Sequence, residues 1–164
     1  DEPALATTSA IRTVYDPCCG SGGMLTIAKA HITEGIKDKD DVVIQEPINP
    51  KADIHLFGQE VNPETFAICK SDLFMKSKDG RDAENIAYGS TLSADRHERN
   101  TFDYMITNPP YGKDWKMDEA AVKAEAERGT AGRFGIGLPR ISDGQLLFLQ
   151  HLIAHMKKPV FIVD

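Results

Sequence analysis

The sequence has few cysteines, and none spaced for metal or disulfide chemistry. Cys18, Cys19 and Cys69 are odd in number, two are adjacent, and no C-x-x-C occurs, so neither a disulfide framework nor a zinc site fits. An excess of positive charge is also lacking: Lys and Arg number 19 against 25 Asp and Glu, a net charge of −6. Displacing counterions from a duplex takes clustered Lys and Arg, and no basic stripe is present. No apolar run is long enough to span a bilayer, which argues against a membrane protein. No charged n-region and apolar h-region open the chain, so no signal peptide is expected and a reducing cytoplasm is the natural setting. Internal repeats are missing too. What is present is an ordinary globular balance, 41% hydrophobic and 27% charged over 164 residues, which suits one domain around one core.

Elements alternate along the chain. Residues 12–15 are short and β-prone and run into a glycine cluster. A helix is predicted over 23–31, with Met24, Ile27 and Ala28 on one face. Residues 34–53 are charged and broken by Pro47 and Pro50, a surface excursion. Residues 55–60 form the next predicted strand. Asn62 is then an N-cap and Pro63 a first helical residue, with Phe66, Cys69 and Leu73 at helical spacing. After a loop at 76–84 come a weak strand at 86–88 and a better one at 102–107. Residues 112–140 show little periodicity apart from a short helix at 118–127. Ser142-x-x-Gln145 reads as a capping box before a helix over 145–156, and residues 160–163 begin one more strand. Strands alternating with helices imply an α/β fold on a mostly parallel sheet. In such sheets ligands bind beyond the carboxyl ends of the strands.

The residues with chemical character fall at those ends. Asp16-Pro17-Cys18-Cys19-Gly20-Ser21-Gly22-Gly23 follows the first strand. Glycines let the backbone turn sharply and approach a ligand closely. The dinucleotide fingerprint fails, because Leu25 stands where its third glycine belongs, and no Gly-Lys-Ser/Thr completes a phosphate loop. An acid before the turn would repel a pyrophosphate but suits a cofactor with an ammonium group and no phosphate, such as S-adenosyl-L-methionine. Asp16 is then an anchor for the methionine amino group. A tight turn without a ligand accounts for the loop equally simply. Glu60, at the tip of the second strand, can accept hydrogen bonds from two ribose hydroxyls; alone, it is also an ordinary solvated strand-end carboxylate.

Asn108-Pro109-Pro110-Tyr111 is the sharpest signal. A planar exocyclic amine is a poor nucleophile because its lone pair is delocalised into the ring. Hydrogen bonds to both amino protons draw the nitrogen toward a tetrahedral state. Asn108 can offer a side-chain carbonyl and Pro109 a backbone carbonyl, and the prolines stiffen the loop without competing N–H groups. Tyr111 can stack on an extruded base. Methyl transfer from a sulfonium needs positioning and polarisation rather than a metal or a strong base. A rigid turn is the bland reading of the tetrapeptide, and its occurrence in order with the glycine loop and Glu60 is what argues against that reading.

Together these residues resemble the amino-methyltransferases: Asp16 to Gly23 resembles the first cofactor motif, Glu60 the ribose-binding acid, and Asn108 to Tyr111 the N/D/S-P-P-Y/F/W motif. The runs Y-D-P-C-C-G-S-G-G-M-L, G-Q-E-V-N-P-E-T-F-A-I-C, Y-G-S-T-L and D-G-Q-L-L-F-L-Q-H-L resemble the modification subunits of type I restriction–modification systems, over roughly residues 12–158. The resemblance implies a Rossmann-like class I S-adenosylmethionine-dependent methyltransferase sheet with helices on both faces. It implies transfer of methyl to the N6 amine of a flipped adenine in double-stranded DNA, with specificity (S) and restriction (R) subunits as partners. It implies cofactor contacts from Asp16, Cys18, Cys19, Gly20, Gly22 and Glu60, with Ser90 near the adenine, and catalysis by Asn108, Pro109, Pro110 and Tyr111. Residues 1–164 would be one catalytic core domain. The helical region and F-x-T/S-P-type motif upstream, and the hairpin that completes the sheet downstream, are not visible, so a fragment is expected.

Other readings stay open. The same tetrapeptide serves enzymes that methylate a glutamine amide in release factors, and some RNA amino-methyltransferases. A cofactor-binding module without activity of its own is the alternative of another class. His151 and His155 lie four apart on a predicted helix, but without the glutamate of H-E-x-x-H no metal is expected. Asp103 reads as a strand-edge partner, Asp38–Asp41 as a solvated loop, and Lys113, Lys116 and Arg133 as candidate phosphate contacts. Residues 112–140 read either as a mobile surface loop or as a loop that gates the substrate.

Overall fold

A computed structural model describes residue 5, residues 10–77 and residues 79–157. Strand β1 (Ile11–Asp16) pairs in parallel with β4 (Asp53–Glu60) on one side and with β6 (Tyr104–Met105) on the other, and β4 pairs in parallel with β5 (Ile86–Tyr88). The sheet order is β5-β4-β1-β6. The chain steps outward from β1 to β5, then returns to the far side of β1. The order therefore reverses between β1 and β6, the place where parallel α/β sheets open a ligand crevice.

Side chains alternate across a strand, and the alternation here separates two chemistries. Val14, Ile54, Leu56 and Ile86 face one way and pack with Leu25, Ile32, Cys69 and Leu73 in an apolar core. Leu25 and Ile32 come from α1 (Gly23–Thr33), and Cys69 and Leu73 from α2 (Pro63–Lys76). Tyr15 and Phe57 face the other way, against Phe102 and His97. On that side lies α5 (Gln145–His155), whose His151 meets the Tyr15 hydroxyl.

Helix α2 begins as expected: the Asn62 carboxamide accepts from the N–H groups of Glu64 and Thr65, with Pro63 first in the helix. Two expectations are corrected. Helix α1 turns Leu25 and Ile32 inward with Ala28 packed beside them, and leaves Ile27 71% exposed; apolar residues fall on more than one face of this helix, so spacing alone does not choose its inner face. The Ser142–Gln145 capping box does not form. Gly144 is the N-cap, and Gln145 is the first helical residue rather than the third. Residues 112–140, read as either a mobile or a gating loop, carry more structure than their sequence pattern suggests. A 3-10 turn (Lys116–Asp118) leads into α4 (Glu119–Ala126), and Trp115, Val122 and Phe134 pack on Leu147 and Phe148 of α5 as a second core.

The excursion after α1 is at the surface, as read, and folds into an exposed antiparallel pair, β2 (Ile36–Lys37) and β3 (Val43–Gln45). The predicted 76–84 loop contains a short helix, α3 (Arg81–Glu84). Its buried Asp82 accepts from the Leu56 N–H and pairs with Lys29 at 2.6 Å. Strand β6 is shorter than the predicted 102–107, and Phe102 instead bridges to Met156. Asp103 is the strand-edge partner expected, accepting from the N–H and hydroxyl of Thr13 and from Lys157. The strand predicted at 160–163 lies outside the described residues. No helix among the described residues is long and apolar enough to cross a membrane.

Candidate active site

The glycine loop leaves β1 at the reversal point of the sheet. Gly22 adopts φ 82° and caps α1, and an added Cβ there would lie 2.7 Å from Cys69 Sγ. The left-handed turn and the close approach of α2 both require glycine. Gly20 is also left-handed, φ 54°, but an added Cβ would meet nothing within 4 Å, so this part of the loop faces open space. The loop is held from below: Cys19 N–H donates to Gln59 O, and Gly20 N–H donates to Glu60 Oε2 at 2.9 Å. Glu60 Oε1 accepts from the Asn62 N–H at 2.7 Å. Each carboxylate oxygen has two acceptor positions, so Glu60 can tie the loop and still receive two further donors.

Asp16 lies beneath the loop and is 1% exposed. One carboxylate oxygen accepts from the Cys18 N–H at 2.9 Å, while Oδ2 is buried with no hydrogen-bond partner. Thr107 Oγ1, on the neighbouring strand end, is buried and unpartnered as well. Burial pushes the Asp16 pKa up to about 6 and the charge of Glu60 adds to this, against the Cys18 N–H and the nearby Thr107 hydroxyl. A buried, underbonded carboxylate of this kind needs a donor, preferably a cationic one. Burial also pushes the Cys18 thiol up to about 12, with Asp16 next in importance. Cys18 is therefore a neutral wall and not a nucleophile.

Cys18, Glu60, Ser90, Asn108 and Pro110 line a single cavity of about 300 Å³, at the small end of the range for small-molecule sites. Five residues assigned from the sequence to the cofactor and to catalysis thus meet. Asp16 lies below the cavity and does not line it. Cys19 turns into the apolar core instead. Pro109 and Tyr111 are not on the wall, and Tyr111 projects 71% exposed. The sequence reading missed Gln59, Thr91 and Phe148, all on the wall, and Lys113, read as a candidate phosphate contact, lies on the wall with them. Gln59 and Thr91 directly adjoin Glu60 and Ser90 in the sequence, which was the available signal. Thr91 donates its hydroxyl to Pro17 O at 2.5 Å, and the Gln59 carboxamide binds Gly89 O, Ala94 O and the Arg96 N–H.

Behind this wall lies a polar network. Arg133 is not a phosphate contact: its side chain is 10% exposed, forked onto Glu125 and bonded to Thr91 O and Leu92 O. Arg133 also approaches His151 Nδ1 at 2.9 Å. Arginine only donates, so Nδ1 accepts, and Nε2–H donates to the Tyr15 oxygen at 2.9 Å. His151 is therefore neutral; burial and then the positive His155 hold its pKa down at about 3. His155 contacts two acceptors, Asn100 O at 2.7 Å and Asp95 Oδ2 at 2.8 Å, and is therefore an imidazolium. Burial opposes that charge, and the Asp95 and Asn100 bonds outweigh it, so its pKa is raised. For Asp95 burial is likewise outweighed by the His155 pairing, which leaves it at about 2. Ligand-type atoms of Asp95, His151 and His155 lie within 4.8 Å of one another. A cation there would have to displace the Arg133 guanidinium from His151, so the cluster is read as an ion-pair network.

Comparison with known proteins fits this geometry. The chain is 31% identical over 151 residues to the type I restriction enzyme MjaVII methylase subunit of Methanocaldococcus jannaschii, covering 92% of this chain and 24% of that protein. It is 26% identical over 145 residues to the HindI methylase subunit of Haemophilus influenzae, covering 87% and 28%. It spans about a quarter of the length of the curated relatives it matches. Among solved structures, the type I restriction-modification methyltransferase subunit of Streptococcus thermophilus superposes with a TM-score of 0.60 at 25% identity, over 89% of this chain and 27% of that one. A Listeria monocytogenes protein described as a class I S-adenosylmethionine-dependent methyltransferase gives 0.58 at 18% identity, over 94% and 38%. The fold is thus that of the class I S-adenosylmethionine-dependent methyltransferases. The model of the family described as N-6 DNA Methylase matches residues 4–160, and the chain belongs to that family.

Proposed function

We propose that residues 1–164 act as the catalytic core domain of an adenine-N6 DNA methyltransferase, the modification subunit of a type I restriction–modification system in the cytoplasm. The observation that carries this reading is the shared cavity: Asn108 and Pro110 open onto the same 300 Å³ space as Cys18, Glu60 and Ser90. The residues fit S-adenosyl-L-methionine. Asp16 offers a buried carboxylate oxygen with no partner, Gly20 leaves open space before it, and Glu60 keeps acceptor capacity for two hydroxyls. When bound, the cofactor supplies an electrophilic methyl group on a sulfonium.

The chain's own residues do the rest. Asp16 holds a cationic donor, Glu60 orients the bound group against the loop, and the neutral Cys18 closes the wall. The Asn108 carboxamide oxygen and the Pro109 carbonyl accept hydrogen bonds from the two N–H groups of a planar amine, which localises its lone pair. Exposed Tyr111 offers a face on which an extruded base stacks. The net charge of −6 leaves most phosphate contacts to other segments and subunits, with a specificity subunit supplying the DNA sequence and a restriction subunit completing the complex.

Calorimetric titration with S-adenosyl-L-methionine tests this. One-to-one binding is expected, weakened at least tenfold, about 1.4 kcal/mol, in Glu60→Ala. Asn108→Ala is expected to keep the affinity within about twofold and to lose methyl transfer to unmethylated duplex DNA in the presence of the specificity subunit. No binding by a folded wild-type chain would sink the reading.

A further inference from the structure

One guanidinium connects the segment that follows the catalytic tetrapeptide to the wall of the cavity. Arg133 belongs to the ordered unit at 112–140. It is anchored there by the Glu125 carboxylate, which takes Nε at 2.8 Å and Nη2 at 2.6 Å. Its remaining donors leave the unit. Nη1 reaches Thr91 O at 2.7 Å, and Nη2 reaches Leu92 O at 3.1 Å. Thr91 in turn donates its hydroxyl to Pro17 O, the start of the glycine loop, at 2.5 Å. Thr91 and Pro17 both line the cavity, with Ser90 between Thr91 and β5. A continuous chain of bonds therefore runs Glu125–Arg133–Thr91–Pro17, from a helix to the loop expected to cradle the cofactor. Cys18 of the glycine loop also packs on the second core of this unit by apolar contact, but only the bonded chain is directional. The network is nearly dry, with the Glu125 side chain 17% exposed, so each link is stronger than its equivalent in water.

We propose that Arg133 is a positioning residue for cofactor binding: acting through Thr91, it sets the glycine loop, and it thereby couples the segment after the tetrapeptide to the cofactor wall. This deepens the function proposed above and rests on it. Arginine is required because one planar fork must satisfy two carbonyls, a carboxylate and an imidazole nitrogen at once, which a lysine ammonium cannot.

The test uses Arg133→Lys, Thr91→Val and the double variant, first without ligand and then with S-adenosyl-L-methionine. Without ligand, hydrogen exchange at the amides of residues 18–22 is expected to be at least tenfold faster in each single variant than in the wild type. With the cofactor, well below each melting temperature, each single variant is expected to bind at least tenfold more weakly. The double variant is expected to bind no more weakly than the worse single one, the non-additivity of residues acting in series. Lys123→Ala, exposed on α4, is expected to change none of this. An Arg133→Lys protein that melts earlier but exchanges and binds like the wild type overturns the proposal, and so do strictly additive losses. If Arg133→Lys does not fold, Thr91→Val decides, since it leaves the buried ion pair intact: unchanged exchange at 18–22 overturns the coupling. A wild type that binds no cofactor removes the functional reading and Arg133's role with it. Failure of this proposal alone appears instead as wild-type binding that the variants leave untouched.

Discussion

The two faces of one sheet are built on opposite principles. On the α1–α2 face, Val14, Leu25, Ile54, Leu56 and Leu73 are joined chiefly by apolar contact, with one buried ion pair, Lys29–Asp82, at the edge of the cluster. On the α5 face, the same strands present Tyr15 to a network of Arg133, His151, His155, Asp95 and Glu125. An apolar face tolerates imprecision, because the hydrophobic effect has no direction. A buried polar network does not, since each unmet donor or acceptor costs free energy. The polar face lies behind the cavity wall at Thr91, and the apolar face lies behind the tight turn at Gly22. The fold thus uses bulk burial to place the strands and directional bonds to place the wall.

The largest expected effect is on the polar side. Arg133→Met leaves the half-buried Glu125 and the carbonyls of Thr91 and Leu92 without their shared donor, and chemical denaturation at pH 7 should show a loss of about 3–5 kcal/mol. On the apolar side Leu25→Ala opens a cavity and should cost about 3 kcal/mol. That loss should be the same at pH 5 and pH 8, because the substitution removes only apolar contact; a pH-dependent loss would break the division between the faces.

Asp16 sits where the faces meet and should behave oppositely. Its folded pKa of about 6 lies above the ordinary 3.8. The native state therefore holds the proton more tightly, and stability falls as pH rises from about 3.8 to about 6. Above that window the charge costs up to roughly 3 kcal/mol at ~1.36 kcal/mol per unit. Asp16→Asn should accordingly stabilise the free protein by approaching that amount at pH 7 and by almost nothing near pH 4, while weakening cofactor affinity. Equal stabilisation at both pH values would show that Asp16 is not a strained carboxylate.

His151 titrates in the other sense. Its folded pKa of about 3 is below the ordinary 6.5. The unfolded chain takes up the proton first, and stability is lost as pH falls through that window. His151→Gln should cost about 2 kcal/mol at pH 7 through lost bonds to Tyr15 and Arg133, and the deficit should shrink toward pH 4. The smallest effect is local: Asn62→Ala removes the N-cap of α2 and should cost about 1 kcal/mol, read as a shift in melting temperature.

Much of this molecule is determined by local sequence. Asn62-Pro63 starts α2 because a side-chain acceptor and a fixed φ act within three residues. Gly20 and Gly22 turn left-handed after β1 because only glycine does so without strain. The order of glycine loop, acid and Asn-Pro-Pro-Tyr, on which the proposed chemistry rests, is legible because those groups sit at strand ends. The tertiary structure alone decided the rest. Helix α1 carries apolar residues on more than one face, so its inner face was chosen by the packing of Leu25 and Ile32 against β4. The capping box at Ser142 failed because Gly144, packed beside Trp115, sets where α5 begins. Residues 112–140 carry no period that marks them as ordered; Trp115, Val122 and Phe134 meet only when α5 is there to receive them. Arg133 looked like a surface cation because its partners lie 8, 18, 41 and 42 residues away in the chain. Local propensity acts over a few residues and can be read from the sequence, whereas bonds across such separations exist only once the chain has folded.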